Sequence, residues 1–423
     1  MFNEQREIVT ALDIGSSKIF AIVAEIKEDK LEEIIGVAKT SSQGIRYGIV
    51  VDIDKTVTAI KKVLTKAERM SGVDIDSVLV NITGDHISSI NKKKVVSVSE
   101  ENHEITAKDV ARVTDVNELI STPSNKEIIH VLPSEFIVDG CKGIKSPLGM
   151  SGLMLEAKSH IVLGDKAAIK NLVKSVSQAG VEVRELVLQS LANAKTVLTE
   201  SDKQLGVVLV DIGAGTTDVS IYKDGIIKYT TVLDFGGQNI TSDLAKEIKI
   251  SQSDAERLKI KHGSAFRKEI SAISDIEFLT SNGKRIMIPE KKVATIIERR
   301  ITEIFKVIKQ KIIKSGYKDL LAAGVVITGG EALLTDLTET ARNILSMPAR
   351  LGTPDKFDKL AKFFVGDEKI ENEEEGVIYA TGLGLLEYYS DNQDFKTEVK
   401  VDNDDDGDNG VWKMLKETID NFF

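Results

Sequence analysis

Two short stretches carry the residue types that handle phosphate. Val207-Val208-Leu209-Val210-Asp211-Ile212-Gly213-Ala214-Gly215-Thr216-Thr217-Asp218 reads as a buried apolar strand ending in an aspartate, two glycines and two threonines. Gly213 and Gly215 permit a tight turn whose N–H groups can approach an anion, and the threonines add hydroxyl donors. Asp211 and Asp218 would repel phosphate unless a cation stood between them, and a carboxylate with waters beside phosphates is a usual way to hold Mg²⁺. Ala11-Leu12-Asp13-Ile14-Gly15-Ser16-Ser17-Lys18-Ile19-Phe20-Ala21-Ile22-Val23 repeats the pattern, with Asp13 in the place of Asp211 and Lys18 as a fixed positive charge. In both copies a turn and a third strand follow (Glu33–Ala38; Ile226–Thr231). The repeat is too long for a solenoid unit and reads as one domain fold used twice, with two hairpins clamping a polyphosphate between them.

A third element is Gly324-Val325-Val326-Ile327-Thr328-Gly329-Gly330-Glu331, a strand followed by a turn without side chains that can pack flat against a base or sugar. Two Asp-Ile-Gly hairpins followed by Ile-Thr-Gly-Gly resemble the actin/Hsp70/sugar-kinase superfamily. The resemblance implies Mg²⁺-ATP in an interdomain cleft, with Asp13 and Asp211 holding the metal through waters. Gly15, Ser16, Ser17, Lys18, Gly213, Gly215, Thr216 and Thr217 would surround the phosphates, with Gly236 and Gly237 following the second hairpin. Gly329, Gly330 and Glu331 would border the adenosine. In the superfamily a Gln or Glu near the start of the connecting helix orients the attacking water; here that position is Gln189. A carboxamide orients water but is a poor base, so turnover should be slow, a weak ATPase at most. Relatives reach the sugar and base with a Glu and a Lys matching Glu256 and Lys259, although Ser253 and Glu256 also fit a helix-capping box.

Elements that must position these residues follow from the patterning. Asp54–Met70 reads as a helix with Ile60, Val63, Leu64 and Ala67 in one stripe, and Ser77–Ile82 as a returning strand. From residue 84 the alternation breaks: short strands at Ile87–Ile90 and Val95–Val98, a helix at Thr106–Leu119, and strands at Ile128–Leu132 and Glu135–Val138. This predicts an α+β insert. Helices at Lys166–Ala179, Leu188–Thr199 and Lys291–Lys314 and a small-residue helix through Gly376–Leu386 complete the body. The insert with its Ser146-Pro147-Leu148-Gly149-Met150-Ser151-Gly152 loop, and Gly48-Ile49-Val50-Val51-Asp52-Ile53-Asp54, resemble the FtsA family of bacterial actin-like cell-division proteins.

The expected fold is therefore α/β: duplicated actin-like (RNase H-like) domains with an α+β insert and a C-terminal amphipathic helix on a disordered linker. In family terms the divisions are 1–83 and 163–199 (1A), 84–162 (1C), 200–244 and 316–389 (2A) and 245–315 (2B). The acidic run 390–410 cannot bury a core, and about 20 such residues reach roughly 25 Å. In the tail, Val411, Trp412, Leu415, Ile419, Phe422 and Phe423 share one helical face. Such a face can dock on its own body, fill a partner groove or lie in a membrane interface; aromatic ends favour the membrane. At about 1.5–3 kcal/mol per fully buried side chain a single copy binds reversibly, and many copies on a polymer bind far better.

The FtsA resemblance implies an ATP-binding protein that polymerises under the cytoplasmic membrane, anchors FtsZ filaments there and recruits later division proteins through 1C. It places the FtsZ C-terminal peptide on 2B, with Arg300 a candidate contact, and the protein peripheral to the cytoplasmic face at the division site. The alternatives are a pilus-assembly actin-like protein, disfavoured by the tail, and a metabolic kinase, disfavoured because no aspartate aimed at a substrate hydroxyl is evident. A net charge of −10 argues against nucleic acid as partner. Cys141 alone excludes an intramolecular disulfide, and the scattered histidines lack ligand spacing. No signal-peptide core or spanning apolar run is present, so an intracellular protein is expected.

Overall fold

The computed structural model describes residues 6–99, 102–115, 123–266, 274–361 and 373–391. Residues 392–410 of the predicted 390–410 linker and the tail residues Val411, Trp412, Leu415, Ile419, Phe422 and Phe423 lie outside the described residues.

The chain opens with β1 (Arg6–Ile14), β2 (Lys18–Lys27) and β3 (Lys30–Ser41), each antiparallel to the next. A small ribbon, β4 (Ile45–Arg46) with β5 (Ile49–Val50), leads into α1 (Ile53–Ser71). Asp52 caps α1 by accepting from the Lys55 N–H, and Gly72 ends it in the left-handed conformation. Its buried stripe (Ala59, Ile60, Val63, Leu64, Ala67) packs on the first sheet. β6 (Ser77–Ile82) then lies parallel to β1.

The insert holds β7 (Ser88–Ser97), α2 (Ala107–Thr114), β8 (Lys126–Val138), β9 (Cys141–Ile144) and β10 (Met154–Asp165), in sheet order β7-β10-β8-β9. Each pair of short strands expected here is one long strand. Lys92–Lys94 do not interrupt β7 because it is an edge strand on which Lys92 and Lys93 are exposed and Lys94 donates to the Asp115 carbonyl (2.7 Å). Pro133 does not end β8, since Ser134 is bulged out against β10 and β9 begins to pair only at Phe136.

The first half resumes with α3 (Lys166–Gln178), β11 (Glu182–Leu188) and α4 (Gln189–Val197). Its sheet order is β11-β6-β1-β2-β3. After α5 (Glu200–Leu205), the second half repeats the plan with β12 (Val207–Ile212), β13 (Thr217–Lys223) and β14 (Ile226–Leu233). Next come α6 (Gly237–Ile248), α7 (Gln252–His262), the hairpin β15 (Asp275–Leu279) and β16 (Arg285–Pro289), and the 26-residue α8 (Glu290–Ser315). β17 (Gly324–Thr328), α9 (Leu337–Leu345), β18 (Ala349–Leu351), α10 (Phe357–Ala361) and α11 (Ala380–Asp391) close the described chain. The sheet β14-β13-β12-β17-β18 has the same strand order and directions as the first, which establishes the duplication read from the two hairpins.

Several boundaries differ from expectation. Residue 245 falls inside α6, and one core joins the β12, β13 and β17 interior to the α8 stripe (Val293, Ile297, Ile301, Ile304). The start expected for the linker, residue 390, lies inside α11: Ser390 is buried and Asp391 pairs with Lys195 at 2.7 Å.

The small-residue helix α11 lies against α4 because Gly384 has no side chain; a Cβ there would stand 2.0 Å from the Ala192 carbonyl oxygen. Backbone cannot yield as a side-chain tip can. Gly384→Ala is therefore expected to destabilise the protein by about 1–3 kcal/mol, read as a lower denaturant midpoint. An unchanged midpoint would mean the two helices are not in that contact.

The insert touches both halves. Against β14, the Ser89 hydroxyl donates to the Thr230 carbonyl (2.8 Å), the Asn91 amide donates to the Lys228 carbonyl (3.1 Å), and His160 Nε2 lies 3.0 Å from the Thr230 hydroxyl.

Candidate functional site

Asp13 and Asp211 end the matching central strands β1 and β12, so the duplication brings them to the same cleft. Amides connect the two sides. The Ile14 N–H donates to Asn81 Oδ1 (2.7 Å), Asn81 Nδ2 donates to Gln189 Oε1 (2.9 Å), and Gln189 Nε2 donates to Asp211 Oδ2 (2.7 Å). Asn193, one turn after Gln189 on α4, donates to the same Asp211 oxygen at 2.6 Å and accepts from the Thr381 hydroxyl at 2.9 Å. Asn81, Asn193 and Thr381 were not identified from the sequence. A signal existed for Asn81, a polar residue inside the buried strand Val78–Ile82, and for Asn193, four residues from Gln189.

The electrostatics of this cleft are those of an acidic pocket awaiting positive charge. Burial, then the Asp211 charge, pushes the Asp13 carboxyl up to about 7. Burial also raises Asp211, against the opposing bonds from Gln189 and Asn193. Asp218, which pairs with Asp211 across the hairpin, is raised well above the carboxylate range by burial and by the Asp211 charge, although the Thr83 hydroxyl donates to it at 2.7 Å. Three buried carboxyls cannot all be ionised here without a cation. Among the described residues no three His, Cys, Asp or Glu side chains form a group that could hold a metal ion by themselves.

The two hairpins close alike, Gly15 N–H donating to the Lys18 carbonyl (3.0 Å) and Gly213 N–H to the Thr216 carbonyl (2.9 Å). Their tips face each other: Ser16 Oγ accepts from Gly48 N–H at 3.0 Å and lies against Gly215. Ser17 and Lys18 are exposed. Burial, then Lys39, lowers the Lys18 ammonium pKa, while the Glu256 and Glu331 charges oppose that shift. Thr216 is buried and bonds Asp218. Thr217 departs from expectation: its hydroxyl donates to the Phe235 carbonyl at 2.8 Å and holds the hairpin rather than facing the cleft, because strand alternation turns it to the other side.

On the other wall Gly329 adopts a φ of 87°, and a Cβ on it would meet Asp211 Oδ1 at 2.1 Å. The turn can pass under the carboxylate only as glycine. A Cβ on Gly330 would point into open space, so this backbone offers a flat surface to the cleft. Lys259, itself buried, donates to Glu331 Oε1 (2.5 Å) and the Gly237 carbonyl (3.3 Å) and pairs with Glu256 (3.1 Å). Burial raises the Glu331 carboxyl while Lys259 opposes the shift. The expected adenosine group thus forms one cluster. The capping box expected of Ser253 and Glu256 is not formed: Ser251 is the cap and accepts from Asp254 N–H (3.1 Å), which leaves Glu256 bonded by the Thr241 hydroxyl. Gly236 and Gly237 brace the second hairpin, since the Gly237 and Gln238 N–H groups donate to the Gly213 and Ala214 carbonyls (3.0 and 2.8 Å). Those two donors are therefore used within the chain, while the Gly237 carbonyl lies at the Lys259–Glu331 cluster.

Similarity to known proteins follows the same layout. The family model for the cell division protein FtsA matches residues 208–384, and that for the SHS2 domain inserted in FtsA matches residues 84–163. The cell division protein FtsA of Pseudomonas aeruginosa is 36% identical over 384 residues, 90% of this chain and 89% of the relative. That of Borreliella burgdorferi is 34% identical over 415 residues, 97% and 98% of the two chains. The chain belongs to the FtsA family. Among solved structures, a PilM–PilN type IV pilus biogenesis complex covers 91% of this chain and 99% of its own at 15% identity with a TM-score of 0.63. MreB5 of Spiroplasma citri bound to ADP covers 89% and 94% at 13% identity with a TM-score of 0.51. At such identities the likeness is one of fold, and it makes the fold of this FtsA-family chain actin-like.

Arg300, the FtsA-derived candidate for partner contact, is engaged within the chain: Nε donates to Asp243 Oδ2 and Nη1 to Glu303 Oε2, both at 2.7 Å. It fastens α8 to α6. Among the described residues no helix is long and apolar enough to cross a membrane.

Proposed function

We propose that this chain binds Mg²⁺-ATP in the cleft, assembles into filaments beneath the cytoplasmic membrane, and tethers FtsZ polymers to that membrane at the division site. The observation that carries the nucleotide reading is the convergence of Asp13, Asp211 and Gln189 between two hairpins, with the Gly329-Gly330 turn bare beside them. The donor set fits the ligand. Raised carboxyls favour a hard dication with oxygen ligands, Ser16, Ser17 and Lys18 offer donors to phosphate, and Gly330 leaves room for a planar group. Bound Mg²⁺ would neutralise charge on the phosphates and on Asp13 and Asp211.

Gln189 is held at both ends, and its Oε1 keeps a second lone pair that can accept from a water. It can orient that water and cannot take its proton, which favours slow turnover. Stacked copies and FtsZ capture rest on the family resemblance and on the relatives being cell division proteins. The insert is the candidate face for filament contacts and later division proteins, and the second half around α8 for the FtsZ C-terminal peptide. With Arg300 tied to Asp243, an FtsZ contact there would have to displace that pair or use neighbouring residues. The amphipathic tail supplies the membrane reading.

The test is liposome co-sedimentation with Mg²⁺-ATP, comparing the full chain with one ended after Asp391, each with and without an FtsZ tail peptide. The full chain should pellet and carry the peptide, and the shortened chain should do neither. If the shortened chain pellets equally, or neither pellets, the tail is not an anchor.

A further inference from the structure

His130 belongs to the insert by sequence and reaches the start of α4 in the first half by geometry. It lies on β8, is 1% exposed, and its Nε2 accepts from the Leu188 N–H at 3.0 Å. An accepting Nε2 puts the proton on Nδ1, which is buried and has no hydrogen-bond partner among the described residues. A buried donor left unpaired is unfavourable, so the ring is held here for the bond it makes at the other nitrogen. Burial keeps the imidazole pKa near 4, which makes it a neutral acceptor at pH 7. The Tyr388 ring of α11 stands edge-on to it, with centroids 6.3 Å apart.

Leu188 is the last residue of β11 and the N-cap of α4, and its side chain makes no capping bond. Gln189 is the next residue, and its carboxamide spans Asn81 and Asp211. The backbone that aims Gln189 is thus fixed on one side by a ring supplied from the insert.

We propose that His130 is a positioning residue: by holding the Leu188 N–H it sets where the Gln189 carboxamide stands over Asp211, and so couples the insert to hydrolysis. The proposal rests on the nucleotide reading above. It acts through Leu188 and touches no ligand, so a shift of β8 at His130 itself is what would be felt at Gln189.

The experiment uses the full chain with His130→Leu, His130→Asn, His130→Gln and Leu155→Ala. Leu155 is buried at the far end of the insert with Ile105 and Phe136, so its loss loosens the insert without touching Leu188. Affinity for a fluorescent ATP analogue with Mg²⁺, steady-state phosphate release and thermal unfolding are measured. His130→Leu should lower kcat about tenfold with KM and analogue affinity within about twofold. His130→Asn, whose oxygen falls short of the Nε2 position, should behave the same way and serves if the leucine variant does not fold. His130→Gln, whose oxygen reaches that position, should restore most of the rate. Leu155→Ala should lower the melting temperature and leave kcat unchanged. Equal loss of kcat in the Leu155 and His130 variants, or no rescue by glutamine, overturns the proposal. If the wild type does not bind the analogue, the nucleotide reading falls, and positioning is then decided by the Gln189 side-chain amide resonance. That signal shifts in His130→Asn but not in Leu155→Ala if the proposal holds, and its constancy sinks it.

Discussion

Asp13→Asn is expected to raise the thermal stability of the ligand-free protein at pH 8 and to abolish Mg²⁺-dependent nucleotide binding. The two effects have one cause. The Asp13 carboxyl has an ordinary pKa of 3.8 and stands near 7 in the folded chain. The folded state therefore holds this proton more tightly than the unfolded state does. Stability from this group is greatest below pH 4, declines as pH rises, and the full penalty is present above pH 7. Keeping the carboxylate buried beside Asp211 then costs on the order of a few kcal/mol. Asparagine removes that charge together with its hold on a cation. Melting curves at pH 5 and pH 8 for wild type and variant, with and without Mg²⁺-ATP, check the prediction. The ligand-free difference should widen at pH 8, and Mg²⁺-ATP should raise the wild type alone. A variant no more stable than wild type at pH 8 would mean that Asp13 is not held as a strained acid.

Gly329→Ala should cost both folding and binding. The new methyl meets Asp211 Oδ1 at 2.1 Å and the Ile212 carbonyl at 2.7 Å, on a backbone with φ of 87°. Positive φ and overlap together cost on the order of 3 kcal/mol. Relief by moving the carboxylate would break its bonds to Gln189 and Asn193. Calorimetric titration with Mg²⁺-ATP should show at least a tenfold weaker affinity, alongside a lower melting temperature. Gly330→Ala is the comparison: its methyl enters open space, so the melting temperature should hold while affinity falls if a base lies against that surface. Should Gly329→Ala bind within twofold of wild type, the turn does not support Asp211.

Much of this arrangement is legible in the chain because it is written twice. Asp13 and Asp211 end identical strand–hairpin units, and duplication alone places them across one cleft. Gly329, Glu331 and Lys259 also came together as expected. What escaped was set by tertiary pairing. β11 alternates charged and apolar residues too briefly to separate from the helix after it, and β15 and β16 are five residues each. Pro133 and Lys92–Lys94 read as strand breaks, yet a bulge and an exposed edge absorb them. Thr217 read as a phosphate ligand because hydroxyls in a motif look alike until strand alternation assigns each a side. Asn193 bonds across the cleft to Asp211, and Asn81 joins Ile14 to Gln189; both bonds link separate elements, which local pattern does not encode.

The last described helix also determines how the molecule carries a pull. Although α11 follows the second half in sequence, its end is fastened to the first: Tyr389 donates to Glu7 (3.1 Å), Ser390 to the Asp29 carbonyl, and Asp391 pairs with Lys195 of α4. Tension applied through the residues beyond 391 would run along the axis of α11, with its flank pressed to α4 where Gly384 meets Ala192. That is shear loading, in which the contacts resist together rather than one after another. The strain ends in the first half without crossing the cleft. Such a load would be borne by the first half, through the contacts α11 makes with Glu7, Asp29 and Lys195.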